Sequence, residues 1–215
     1  MKDDEIVFTE EELDFIREMM NIGAGNAATA LEQMLGPKIE LKIPLVKTYS
    51  RTDIDVIYKD IGDPIQTFTT VSMNLAGDVK GKIVFVVGSK DLVKLTSLME
   101  KATPGRRKII MPLDLSVVPE IGNILAGTYL SSLHDFCMLN IHHSVPKLKT
   151  DNLKTLTQEL FPEQDPGIPA IILVINQFIT ASDRITTYIL LVPDIGSMKI
   201  LAQSLRQAKD KLSLP

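Results

Sequence analysis

A constant offset of 102 residues relates two stretches of this chain, EMMNIGAGNAATAL at 18–31 and EIGNILAGTYLSSL at 120–133. At that offset Glu18 meets Glu120, Asn21 meets Asn123, Ile22 meets Ile124, Ala24 meets Ala126, Gly25 meets Gly127 and Leu31 meets Leu133. The register survives a loop and reaches Pro44 and Pro146, each inside an apolar, strand-like run, LKIPLV and HHSVPKL. One offset held across a helix, a loop and a strand points to duplication of a supersecondary unit. Solenoid repeats have much shorter periods.

The pattern of apolar residues and turn signals predicts helices over 9–35, 90–101, 114–135, 150–161 and 195–208. Strands are predicted near 38–49, 53–59, 66–76, 82–88, 138–148, 169–179 and 184–192, with TPGRRKIIMP linking the halves and PEQDPG as a turn. The halves, about 9–101 and 113–208, then match, except that the second has a short helix where the first has a strand. Sheets with helices on one face bury their apolar side in two layers. The expected fold is therefore α+β. Two pseudo-two-fold halves share one mostly antiparallel sheet in a single domain over 1–215, and two long helices lie on it.

The run NIGAGNAATA also fits the loose G-x-G-x-x-G/A pattern of dinucleotide-binding turns, through Gly23, Gly25 and Ala28. That pattern needs a strand before it and a helix opening on it. Here Thr9 and Glu12 form a capping-box signature, and Leu13, Ile16, Met20, Ala24, Ala27, Leu31 and Met34 recur at helical spacing. The glycines thus fall inside a helix, where the backbone N–H groups are already bonded and cannot cradle a phosphate. Each glycine costs about 1 kcal/mol there relative to alanine, so each needs another reason.

At about 100° per residue, Asp14, Glu18, Asn21 and Gly25 fall within about 60° of one another, away from the apolar face. Ser116, Glu120, Asn123 and Gly127 make the same stripe on the second helix. Gly25 then reads as clearance for another molecule beside Asn21, and Gly23, which points elsewhere, as a helix-packing residue. For one helix alone, a solvated face would explain Glu and Asn. Matching surface identities in two diverged copies are harder to assign to packing.

The rest of the composition narrows the chemistry. The chain has 215 residues, 45% of them hydrophobic and 23% charged, and a net charge of −4. That balance suits a globular protein and argues against a nucleic-acid surface. GRRK at 105–108 is the one basic cluster and reads as a solvated loop. The acidic N-terminus does not read as a signal peptide, and IPAIILVI at 168–175 is too short to span a bilayer, so no membrane partner is expected. A single cysteine, Cys137, fits a reducing compartment, and a cytoplasmic location is expected. Cys137 reads as a core residue and His134 as a helix-surface residue. His142 and His143 are adjacent in a strand and cannot chelate one metal together. No P-loop, metal cluster or Ser-His-Asp spacing is present.

Asp or Ser, three residues, Glu, two residues, Asn, twenty-two residues, Pro: that order resembles the signature of the CheC/CheX/FliY phosphatases of chemotaxis. Asp14–Glu18–Asn21–Pro44 fits it once and Ser116–Glu120–Asn123–Pro146 fits it again. Two intact copies resemble the two-site CheC type within that family. CheX-like members have one intact copy, and FliY-like members carry an extra flagellar-switch domain.

The resemblance implies hydrolysis of the aspartyl phosphate of the response regulator CheY-P. Glu18, Asn21, Glu120 and Asn123 would be the acting residues, supported by Asp14, Pro44, Ser116 and Pro146. It implies no metal or cofactor of the chain's own, with Mg²⁺ expected on the receiver partner. It also implies binding of the receptor deamidase CheD through the short helix of the second half, with Asp151 near that helix's start. The alternative is a non-catalytic adaptor that binds CheD or CheY-P. Pro119 is a departure, since proline disrupts a helix interior but suits a first turn. A helix starting near Ser116 would tolerate it, and one starting at Asp114 would kink.

Overall fold

The computed structural model describes residues 8–35, 38–50, 53–102, 115–160 and 170–212. The basic cluster, the link between the halves and the PEQDPG turn lie outside the described residues.

In the first half α1 (Glu10–Leu35) leads to β1 (Glu40–Ser50), α2 (Ile54–Ile61), the hairpin β2 (Thr67–Gly77) and β3 (Gly81–Gly88), and α3 (Ser89–Ala102). In the second, α4 (Val117–Cys137) leads to β4 (Ile141–His143) and β5 (Lys147–Asn152), then α5 (Leu153–Leu160), the hairpin β6 (Ala170–Ile179) and β7 (Arg184–Pro193), and α6 (Ile195–Leu212).

The strands form one sheet in the order β1-β6-β7-β3-β2-β4, and β5 also pairs with β2. All six strand pairings among the described residues are antiparallel. β4 and β5 continue one another along β2, at positions 75–77 and 67–72. They stand where β1 stands along β6, so the sheet order is palindromic. Each half gives its first strand to the other half's hairpin, and β3 pairs with β7 at the centre.

Alternating side chains divide the core. Ile83, Phe85, Val87, Ile172, Val174, Ile189 and Leu191 face α1, α3, α4 and α6. Val84, Val86, Ile171, Leu173, Leu190 and Val192 face the other way, where Ile57 and Ile61 of α2 and Leu153, Leu156 and Leu160 of α5 cover them. The two-layer build with long helices on one face is as expected, and two short helices add cover to the second face.

The segment near 53–59, expected as a strand, is helix α2. Its β-branched and aromatic residues favour a strand locally, but tertiary contacts decide otherwise. Ile57 and Ile61, four apart, are both buried. Asp60 accepts hydrogen bonds from Lys47 and Tyr49 on β1, and the Tyr58 hydroxyl meets that of Thr157 on α5 at 2.6 Å. Both halves therefore carry a short helix. The strand expected over 138–148 is split, with Pro146 between β4 and β5. The helix expected from 150 starts at Leu153. Its cap is Asn152, whose side-chain oxygen accepts from the Thr155 N–H at 2.8 Å, and Asp151 belongs to β5.

Candidate functional site

The long first helix begins at the expected capping box. The Thr9 N–H donates to Glu12 at 2.8 Å, and the Glu12 N–H donates to the Thr9 hydroxyl at 3.2 Å. Arg206 of α6 pairs with Glu12 at 2.6 Å, and Lys209 pairs with Glu11. Burial alone would raise the Glu12 carboxyl. The hydrogen bonds from Arg206 and Thr9 and the charges of Arg206 and Lys209 outweigh burial and hold it below the usual carboxylate range.

Both glycines of the NIGAG run lie inside α1, as the phosphate-turn argument requires. A Cβ on Gly23 would lie 2.6 Å from the Ser132 hydroxyl and 3.0 Å from the Thr128 carbonyl of α4. Gly23 is thus the point of close approach between the long helices. A Cβ on Gly25 or on Gly127 would meet nothing within 4 Å.

Asp14, Glu18 and Gly25 are exposed and Asn21 is half-buried, so the first stripe faces out. Ser116 and Glu120 are exposed and Asn123 and Gly127 half-buried on the second. Gly23 lies nine residues beyond Asp14, about 180° around the helix. Of the α4 residues that meet it, Tyr129 and Ser132 likewise lie about 120–180° around that helix from Glu120 and Asn123. The two stripes point away from each other, on either side of the α1–α4 contact.

The prolines of the pattern acquire a structural reason. The Ile43 N–H donates to the Asn21 side-chain oxygen at 2.9 Å, and the Asn21 amide donates back to the Ile43 carbonyl at 3.5 Å. The register between β1 and β6 shifts between Lys42 and Leu45, across Pro44. A residue without an N–H cannot serve the ladder and belongs on an edge strand or at a bulge. β1 is such an edge, and Pro146 marks the break at the opposite edge. In the first half Asn21 therefore ties α1 to the strand irregularity at Pro44.

The two sites are not identical. In the first, Arg17 lies 3.2 Å from Asp14 and 3.7 Å from Glu18. In the second, the position of Arg17 is occupied by Pro119. Pro119 is in the first turn of α4, which begins at Val117 after Ser116, and the expected tolerance of a late start applies. Among the described residues, Glu120 has no ion pair and the Asn123 side chain no hydrogen bond. Beyond Asn123 the stripe runs into an open groove of about 490 Å³ bordered by Gly127, Ser131, His134 and His142.

Asp151 is far along the sequence from both stripes. Its carboxylate lies 3.8 Å from Lys149 and accepts from the Asn152 backbone N–H at 2.8 Å. Cys137 is buried, and burial pushes its thiol up to about 11, which keeps it protonated at neutral pH. Among the described residues no group of His, Cys, Asp or Glu is placed to hold a metal, and no helix is long and apolar enough to cross a membrane.

The model of the CheC-like family matches this chain twice, over residues 11–45 and 113–149. Each match spans one complete stripe and its proline. Both halves of the chain thus resemble the CheC-like family. It is 27% identical over 207 residues to the Bacillus subtilis protein named CheY-P phosphatase CheC, covering 89% of this chain and 92% of that one. Against the flagellar motor switch phosphatase FliY of the same organism it is 25% identical over 159 residues, 74% of this chain and 40% of FliY. The fold matches the crystal structure of Thermotoga maritima FliY with a TM-score of 0.72 at 23% identity, covering 94% of this chain and all of that one. The middle domain of FliM from H. pylori matches with a TM-score of 0.60 at 12% identity, over 92% of this chain and 99% of that one. The sheet with its long helices is therefore a fold shared with T. maritima FliY and the FliM middle domain.

Proposed function

We propose that this chain is a CheY-P phosphatase with two sites, Glu18–Asn21 and Glu120–Asn123. The observation that carries this reading is the repeated pair of an exposed Glu and a half-buried Asn, one turn apart, each followed by a glycine with open space above it. The similarity to a protein named CheY-P phosphatase CheC supports it.

An aspartyl phosphate is a reactive acyl phosphate. Its hydrolysis requires a water placed in line with the leaving carboxylate oxygen; the water oxygen bonds to phosphorus as the phosphorus–carboxylate bond breaks. An asparagine side chain is no base, but its carbonyl and N–H groups can orient that water. The Asn21 amide is held in one orientation by Ile43 and keeps further hydrogen-bonding capacity. The glutamate one turn away docks the partner by pairing with a lysine of the receiver. The receiver brings Mg²⁺ of its own. Asp14 and Ser116 act on their helices and need not touch the substrate.

We also assign CheD binding to the outer face of α5. Its leucines face the core, Lys154, Gln158 and Glu159 are exposed, and Lys149 pairs with both Glu159 and Asp151.

The test is phosphate loss from phosphorylated CheY with Mg²⁺ present. Substoichiometric protein should clear an excess of CheY-P. Asn21→Ala and Asn123→Ala should each slow clearance and the double variant should nearly abolish it, with melting temperatures preserved. Binding of CheY-P with decay at its intrinsic rate would favour the adaptor reading instead.

A further inference from the structure

Arg17 sits on the flank of the first stripe, one turn before Asn21, and its guanidinium contacts both carboxylates of that stripe. The second stripe has no counterpart, because its equivalent position is Pro119. Two glutamates with the same proposed duty are thus presented differently. Among the described residues Glu120 has no ion-pair partner, whereas Glu18 lies beside a cation that repels the receiver's lysine and must be displaced.

We propose that Arg17 is a mask on the first site. It competes with the receiver's cation for Glu18, and Asp14 moderates the mask by sharing the guanidinium. The 3.2 Å contact to Asp14 against 3.7 Å to Glu18 places the guanidinium nearer to Asp14. Removal of Asp14 would leave Glu18 as the partner of Arg17 and deepen the mask. The proposal rests on the phosphatase reading above and adds a positioning residue to it. All three side chains are partly or mostly exposed, and exposed pairs are weak and salt-screened. The mask is therefore graded and acts on docking, not on the chemical step.

The experiment isolates the first site in an Asn123→Ala background and follows CheY-P decay over a range of CheY-P concentrations. Arg17→Ala should lower KM about two- to fivefold at low salt, with kcat nearly constant. The gain should shrink as salt is raised. Asp14→Ala should raise KM, and Arg17→Ala added to it should restore affinity. A lost helix contact alone would not produce that rescue. An unchanged or raised KM in Arg17→Ala overturns the mask, and a fall in kcat shows that Arg17 serves the phosphoryl group instead. The Asn21→Ala/Asn123→Ala variant separates the two ideas. If it keeps its turnover, the two-site reading fails and the mask with it. If it is inactive while Arg17→Ala leaves KM unchanged, the mask alone fails.

Discussion

Gly25→Ala and Gly127→Ala set stability against function at one atom each. In a helix interior, alanine is about 1 kcal/mol more favourable than glycine. The full gain is available here because a Cβ at either position meets nothing within 4 Å. For a chain of this size, each substitution should raise the melting temperature by about 2–4 °C. Gly23→Ala is the internal control. Its Cβ would lie 2.6 Å from Ser132 Oγ and 3.0 Å from a backbone carbonyl that cannot easily move. Overpacking of that kind costs about 1–3 kcal/mol, so this variant should melt lower. If the open space is clearance for a docked partner, the same steric penalty moves to the complex of the Gly25 and Gly127 variants. A penalty of ~1.4 kcal/mol is tenfold in affinity, so the double variant should be more thermostable and about tenfold or more weaker in clearing CheY-P. Thermal denaturation and CheY-P decay on the same preparations decide the matter. A double variant that gains stability and keeps full activity refutes the clearance argument, and one that loses stability refutes the packing argument.

Three further outcomes are expected. Asn176→Ala should destabilise the chain by about 1–3 kcal/mol in chemical denaturation, because the buried Tyr129 hydroxyl that donates to Asn176 would lose its acceptor. Stability should fall in acid through Glu12 and Asp60. Burial would raise Asp60 as it would Glu12, but hydrogen bonds from Lys47 and Tyr49 prevail, so both carboxyls titrate below their unfolded values. Their contribution is then complete only above about pH 5 and is lost as pH falls through the depressed values; Glu12→Gln should flatten that acid limb in pH-dependent melts. Asp151→Lys should weaken CheD binding in a titration while leaving CheY-P decay unchanged, and unaltered affinity would remove Asp151 from the interface.

Much of this molecule was legible in its sequence because the informative features were periodic or repeated. The stripe of Asp14, Glu18, Asn21 and Gly25 followed from helical geometry, and the offset to Glu120 and Asn123 followed from the duplication. What escaped depended on distant partners. Ile54–Ile61 carries strand-favouring residues, and only Asp60 reaching to Lys47 and Tyr49, with Tyr58 reaching to Thr157, makes a docked helix of it. Helix α5 starts at Leu153, later than expected, because pairing with β2 extends β5 through Asp151 and Asn152. Arg17 was overlooked although its spacing from Asp14, three residues along a helix, is itself an ion-pair signal. Asn21 read as a surface amide, but its side chain bonds to the Ile43 backbone beside Pro44, which no local pattern announces.

The exchange of first strands between halves has a consequence for how such a protein can diverge. β1 completes the hairpin β6–β7, and β4 with β5 completes β2–β3. Two separate copies of one such unit could close the same palindromic sheet as a homodimer. In a symmetric dimer, however, every substitution appears twice, and assembly depends on protomer concentration. One continuous chain holds its repeats together at an effective concentration set by the link. It also frees each helix to change alone. An arginine at 17 and a proline at 119 could not coexist in identical protomers, so the fusion is what permits the two equivalent helix faces to differ.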